Sequence, residues 1–457
     1  MNGKEWCLTF SVVVLEQYLN RCMVPFRSER QELKFMIKKT SILISFILLN
    51  MPLVIQAGVN LPFYMPSGVT VESTHVYLNL IKEFEHNNPN ISIRFVPTNS
   101  YEKVLAEVIK NASQKQSSGI IIAEISELLT LKYASAVIPL DSFFNSKKYD
   151  KKQYLAQFVP EFLANSYDDH SRLYAIPMLR STPLIFYNLD LLEEVGYSGK
   201  NLPTTWSELE IMLKKLRTLP IKAPLGLANG WYDWIFESFV RQNDGALTIK
   251  SRTQVTFDSQ PVIESLSFWQ KLYQTQLMER IQGSWKGALN SFLRGDYPVI
   301  YYSSSGIAPA STKANFEWTA SVMPGNRQLS SAVGASNIFI STYLSDEQKQ
   351  AAWKFLHFLT DPEVQAKIAF ETGYFPVIKK AFETKALAQR YNFRPYKNAL
   401  EQLRYANAKM MTKNYKEIRQ ILKDAIDESL DKSVSPKESL YHAQKRADAV
   451  LKGLDFE

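Results

Sequence analysis

Gly119-Ile-Ile-Ile-Ala123 is apolar at every position, so a strand formed there must be covered on both faces, as in a parallel sheet clothed by helices. The residues before it agree. Tyr77, Leu80, Ile81 and Phe84 recur at helical spacing and stop before Pro89; Ile91, Ile93 and Phe95 then alternate as a half-buried strand. Val104, Leu105, Val108 and Ile109 form the next helical face. With a weaker strand from Asn60 to Met65, the order is β-α-β-α and the fold class is α/β.

The same pattern continues along the chain. A strand is expected at Thr182 to Asn188, a helix from Trp206 to Leu219, an aromatic-rich segment from Val262 to Leu277 and a buried strand over Pro298-Val-Ile-Tyr-Tyr302. Gly334 to Ile340 is read as a return to the first unit, followed by a helix from Asp346 to Leu359 that carries Ala352, Phe355, Leu356 and Leu359 on one face. Tyr374-Phe-Pro-Val377 is read as a further crossing, after which Ile418, Ile421, Leu422 and Ile426 mark a C-terminal helix and Val434-Ser-Pro436 a later break.

The N-terminal part reads as an export signal in an unusual place. Met36-Ile-Lys38-Lys39 is a short basic start, Ser41 to Val54 is almost unbrokenly apolar, and Ile55-Gln-Ala57 resembles a signal-peptidase site. The expectation is an upstream mis-start extension at 1–35, a signal peptide at 36–57 and a mature chain from Gly58. Cys7 and Cys22 both lie in the extension, so the mature chain has neither a disulfide framework nor a lipidated cysteine, and a free periplasmic protein is expected. Its length of about 400 residues exceeds a usual single domain. The lobes are expected at 58–181 with 335–375 and at 182–334 with 376–457, with three crossings acting as a hinge.

Charge and motif content exclude several function classes. Of 53 basic and 45 acidic residues, 7 and 4 fall within 1–57, which leaves 46 against 41, a balance of +5. The charges are interspersed and form no basic block of the kind that binds nucleic acid, although a modest positive field suits an anionic solute. His75, His86, His170, His357 and His442 are scattered without metal-ligand spacing, and nucleophile-elbow, phosphate-loop and dinucleotide motifs are absent. Asp168-Asp169 sits in a stretch that reads as a turn. No catalytic residue, metal or cofactor is expected; the chain is read as a non-enzyme, with a periplasmic phosphodiester hydrolase as the alternative of another class.

Three short stretches narrow the reading. Arg180-Ser-Thr-Pro-Leu-Ile-Phe-Tyr-Asn188, then Leu189-Asp-Leu-Leu192, then Leu202-Pro-Thr-Thr-Trp206-Ser-Glu-Leu209 resemble the point where extracellular solute-binding proteins of bacterial ABC importers cross between their lobes. Gly226-Leu-Ala-Asn-Gly-Trp231-Tyr-Asp-Trp234, Ser304-Ser-Gly306, Gly334-Ala-Ser336, Thr372-Gly-Tyr-Phe-Pro376 and Glu417-Ile-Arg419 follow in the order seen in the glycerol-3-phosphate-binding members of that family. The resemblance implies a two-lobed periplasmic binding protein fold of the type II, venus-flytrap kind. It further implies a monomer that captures glycerol 3-phosphate or a glycerophosphodiester such as glycerophosphocholine and hands it to membrane permease subunits with their ATPase. An oligosaccharide-binding protein of the same superfamily is the alternative within binding.

The resemblance also implies a ligand set, matched position by position: Tyr101, Glu124, Ser181, Ser304, Gly334, Tyr374 and Arg419. Elementary chemistry gives these groups suitable roles. Arg419 offers a bidentate fork to a phosphate, the serines and the Gly334 amide add donors, and Glu124 accepts from hydroxyls at the polyol end, where a phosphate would be repelled. Tyr101 and Tyr374 each supply a hydroxyl and a ring edge. The stretch Ser303 to Gly306 reads either as an anion cradle or as a serine helix cap. Trp231 and Trp234 read as core residues or as a wall for the carbon skeleton or a choline-like cation. Arg180 stands where the family has a small polar residue; it either strengthens phosphate binding or points outward from the crossing strand into solvent.

Overall fold

The computed structural model describes residues 58–67, 71–144 and 150–453, with no side-chain account of residues 71–73; the expected extension, signal peptide and both cysteines lie outside these. Gly58–Glu457 forms one compact unit. It contains two five-stranded mixed sheets, and each becomes the floor of one lobe.

The first sheet is built from β1 (Val59–Met65), β2 (Ile91–Pro97), β3 (Ile120–Glu124), β4 (Ile176–Ser181) and β11 (Gly334–Ile340), in the order β2-β1-β3-β11-β4. The second contains β5 (Pro183–Asn188), β6 (Leu225–Ala228), β7 (Met278–Ile281), β8 (Val299–Ser303) and β9 (Trp318–Ser321), in the order β7-β6-β8-β5-β9. A short parallel pair, β10 (Ser331–Ala332) with β12 (Ala406–Asn407), lies apart from both. As the all-apolar sequence requires, every residue of β3 is buried. Its pairing with β1 is parallel and with β11 antiparallel, because β11 arrives from the second sheet rather than through a crossover helix. Among the described residues no helix is long and apolar enough to cross a membrane.

Thr182 alone separates β4 from β5, so the chain passes from one sheet to the other with almost no slack. It returns between Ser321 and Gly334. The turn at Phe375 runs beside the first passage, its amide donating to the Arg180 carbonyl at 2.8 Å.

The motif residues after the first passage turn out to be caps. The Asn188 side chain accepts from the Leu191 amide at 3.2 Å and opens the short helix Leu189–Glu193. Thr205 and Glu208 form a reciprocal capping box at the start of the helix Trp206–Leu216. A cap of this kind contributes about 1 kcal/mol. That helix ends at Leu216, short of the expected Leu219. Asp346–Leu359 forms a helix with the expected bounds, capped by Ser345 and Gln348.

Arg180 corrects one alternative, that its side chain points outward into solvent: the guanidinium is wholly buried and donates to the carbonyls of Leu179, Ser336 and Phe162 and to Oδ1 of Asn337, at 2.5 to 2.8 Å. Burial pulls its pKa down to about 9, which leaves it charged at neutral pH. It therefore ties β4 to β11 and to the 3-10 helix Pro160–Ser166 below them. Asp168 likewise organises a turn, accepting from the amides of His170 and Arg172 and pairing with the Arg172 side chain.

Candidate functional site

Strand β11 brings the expected ligand residues of the first lobe into one place. It lies between β3 and β4, and its register sets Ser336 opposite Glu124 and Gly334 opposite Ser181. Glu124 ends β3; its Oε2 accepts from the Ser126 amide at 2.8 Å and its Oε1 from Lys409 Nζ at 2.8 Å. Tyr101 opens the helix Tyr101–Ser113, which Ser100 caps, and its hydroxyl approaches Ser336 with Glu124 and Tyr374 nearby. Burial, with Tyr374 second, raises the Tyr101 pKa far above its ordinary value, so this hydroxyl stays a neutral donor and acceptor. Tyr374 is half-buried in the turn after Gly373, which takes a left-handed φ of 74° and packs against Ser305 and Ala308.

The second lobe contributes the helix Tyr232–Gln242 and the helix Tyr415–Asp431. Trp231 immediately precedes the former and meets Tyr101 edge-on at 6.4 Å, so rings from both lobes touch. The Arg419 guanidinium lies 4.4 Å from the Trp231 ring centroid and donates through Nε and Nη2 to both oxygens of Asp233 and to the Gly230 carbonyl. Burial opposes the charge on each partner, but the pair outweighs it: Asp233 titrates below the ordinary carboxylate range and Arg419 above its own.

The remaining expected residues sit at the passage between sheets. Ser304 accepts at Oγ from the Thr182 amide and donates its own amide to the Thr182 carbonyl, so it also staples β8 to the crossing. Ser303 caps the short 3-10 turn Ser304–Gly306, accepting from the Ser305 amide. Trp234 is buried, donates Nε1 to the Ala332 carbonyl at 2.9 Å and lies 6.3 Å from Trp285, which in turn stacks on Tyr302. Its ring lies against Gly334, where a Cβ would come within 2.6 Å of Cζ2.

Tyr101, Glu124, Trp231, Arg419 and, beside Tyr101, Tyr374 thus form one group, and Ser181, Ser304, Gly334 and Trp234 a second, joined to it through β11. Among the described residues Arg180 makes no hydrogen bond to either group, but Glu124 and Tyr101 lie near enough to favour its charge. Sequence reasoning missed Asp233, Lys409, Tyr415 and Glu127. Asp233 stands inside the quoted Gly-Trp-Tyr-Asp-Trp run and was one residue from notice; for the other three, no spacing or motif marks them. Lys409 is buried with its Nζ 5.1 Å from the Trp231 centroid. Burial and then Glu124 push the Glu127 carboxyl up to about 8. The chemistry of this set is donor and acceptor groups with paired charges. Among the described residues no group of three or more His, Cys, Asp or Glu is placed to hold a metal ion.

Known proteins place this architecture. The UgpB structure from Mycobacterium tuberculosis in complex with glycerophosphocholine superposes with a TM-score of 0.75 at 21% identity, covering 86% of this chain and 98% of that one. The GacH receptor of Streptomyces glaucescens, described with acarbose, gives 0.74 at 16% identity, covering 87% and 100%. In sequence, the sn-glycerol-3-phosphate-binding periplasmic protein UgpB of Salmonella paratyphi A is 25% identical over 398 residues, 82% of this chain and 89% of that protein. The counterpart of Yersinia pestis is 24% identical over 398 residues, covering 82% and 88%. The model of the bacterial extracellular solute-binding protein family matches residues 79–395, and the chain, with its two-lobed α/β fold, belongs to that family.

Proposed function

We propose that this protein captures a glycerophosphate-type solute, glycerol 3-phosphate or a glycerophosphodiester, in the periplasm and delivers it to the permease and ATPase subunits of an ABC importer. The observation that carries this is the meeting of first-lobe Tyr101 and Glu124 with second-lobe Trp231 and Arg419, a fixed cation and a hydroxyl-accepting carboxylate around one junction. The relatives named for sn-glycerol 3-phosphate and the glycerophosphocholine complex support the same solute class. The closing bodies are taken as 58–181 with 335–375 and 182–334 with 376–457. Closure contributes affinity because only the closed form lets both bodies touch one molecule.

Arg419 retains Nη1 beyond the atoms that Asp233 and Gly230 engage, and this edge is the proposed phosphate contact. A second reading, an oligosaccharide ligand, is favoured by the aromatic set Trp231, Trp285 and Tyr302 and by neighbours such as the acarbose-binding GacH receptor. Calorimetric titration with glycerol 3-phosphate, glycerophosphocholine and maltose, repeated with Arg419→Ala, separates the two. Saturable binding of a phosphate ester that the substitution removes supports the proposal. Binding of maltose alone, indifferent to Arg419, moves the protein to the sugar-binding branch.

A further inference from the structure

Lys409 is placed with unusual care for a surface-type residue. Its side chain is 2% exposed, and Asn165 of the first lobe grips its backbone from both sides, accepting from the amide and donating to the carbonyl at 3.0 Å each. From the second lobe, Arg241 donates to the Ala408 carbonyl and Glu237 accepts from the Met410 amide. The next two side chains part company: Met410 enters the core that holds Trp234 and Ile418, and Met411 the cluster that holds Val104 and Phe339. The backbone that carries the ammonium is therefore held by both lobes at their junction.

Its hydrogen bonding is incomplete. An ammonium carries three donors, and among the described residues Lys409 Nζ meets one acceptor, Glu124 Oε1. Tyr415 lies with its ring centroid 5.5 Å from that nitrogen, and its hydroxyl is buried without a protein partner, as are Glu127 Oε2 and Ser126 Oγ. Buried polar atoms left unmatched cost about 1 to 3 kcal/mol each, so a cluster of them marks a place that something else completes.

We infer that Lys409 is a ligand-contacting residue and that, with Glu124, Tyr415 and Glu127, it forms a subsite for the hydroxyl-bearing end of the solute. A hydroxyl both accepts and donates, so it can accept a hydrogen bond from the ammonium and donate one to Glu124 without separating the pair. A phosphate at the same place would face the Glu124 carboxylate. The assignment rests on the proposed function only in making this end a glycerol; its chemistry holds for any polyol.

The test compares glycerophosphocholine with phosphocholine, which lacks the glycerol, by calorimetry on the wild type, Lys409→Met and Lys409→Arg. Lys409→Met is expected to weaken glycerophosphocholine at least tenfold while leaving phosphocholine unchanged, and Lys409→Arg, which keeps a partner for Glu124, to recover part of the loss. Equal weakening of both ligands, or unchanged glycerophosphocholine affinity, overturns the inference. If Lys409→Met does not fold, Lys409→Arg and Tyr415→Phe carry the same comparison. A wild type that binds maltose and neither phosphate ester refutes the proposed solute class instead, and the subsite is then judged by the same tenfold loss on maltose.

Discussion

Nε of Arg419 lies 2.6 Å from Oδ2 of Asp233, across 186 residues of sequence, at the turn that also carries both tryptophans of the junction. The pair is nearly out of water, with side-chain exposures of 15% and 4%. Breaking such a pair strands a charge. Arg419→Ala is therefore expected to lower unfolding stability by about 3 to 5 kcal/mol, measured by urea denaturation, and Asp233→Asn to lower solute affinity by freeing the Arg419 fork. Stability within 1 kcal/mol of wild type after Arg419→Ala would mean that the Asp233 charge has water or another cation to turn to.

Gly334 is required by a neighbour, not by its own backbone. A Cβ there would approach Trp234 Cζ2 to 2.6 Å and Cε2 to 2.9 Å, and that indole is pinned by its bond to the Ala332 carbonyl. Gly334→Ala is expected to destabilise the protein by about 1 to 3 kcal/mol, the usual range for overpacking. The paired substitution with Trp234→Phe, which removes the colliding ring, should recover part of that loss; full additivity in a double-mutant cycle would show that the two side chains do not compete.

Much of the fold was legible because hydrophobic period reports burial directly. β3 read as buried on both faces and is, and the helix Asp346–Leu359 has its expected limits, since a capping box and an apolar stripe are both local signals. The junction was legible only through resemblance. Arg419 belongs to a recognisable motif, yet its meaning depends on Asp233, and Lys409 has no local signature at all: Ala408-Lys-Met-Met411 reads as a featureless stretch until the lobes bring Asn165, Glu237 and Glu124 around it. Arg180 was illegible for a related reason: the expectation that it points outward into solvent fails because its acceptors, the Phe162 carbonyl and Asn337 Oδ1, come from distant parts of the chain that no local signal announces.

Glu127 gives the molecule a pH signature. Its folded pKa of about 8 stands above the 4.5 of a free glutamate, owing first to burial and then to Glu124. Below pH 4.5 both folded and unfolded chains hold the proton; between 4.5 and 8 the unfolded chain loses it first, so stability from this group falls as pH rises and levels off above 8. Glu127→Gln removes the effect. The melting temperature of the variant relative to wild type is expected to climb from pH 5 to pH 8, and a constant difference across that window would contradict a buried, protonated carboxyl.

Arg252 joins the lobes away from the ligand residues. Its loop is closed by the Thr248 to Val255 bridge and rooted by Leu247, Val255 and Phe257 in the second core, while its guanidinium donates to the carbonyls of Tyr167 at 2.6 Å and Ala164 at 2.8 Å. Those acceptors belong to the 3-10 helix and turn that Asn165 fastens to β11 through Asn337. In the proposed closure both bonds break when the lobes part, so Arg252 is expected to bias the equilibrium toward the closed form. Even at the ordinary net value of about 0.5 to 1.5 kcal/mol per bond, the two together supply about 1 to 3 kcal/mol, a range that includes a factor of about ten. Arg252→Ala is thus expected to enlarge the radius of gyration of the solute-free protein in small-angle scattering and to raise the solute dissociation rate about tenfold, with the association rate changed far less. Identical scattering and dissociation for the two proteins would show that the contact follows closure and does not help to hold it.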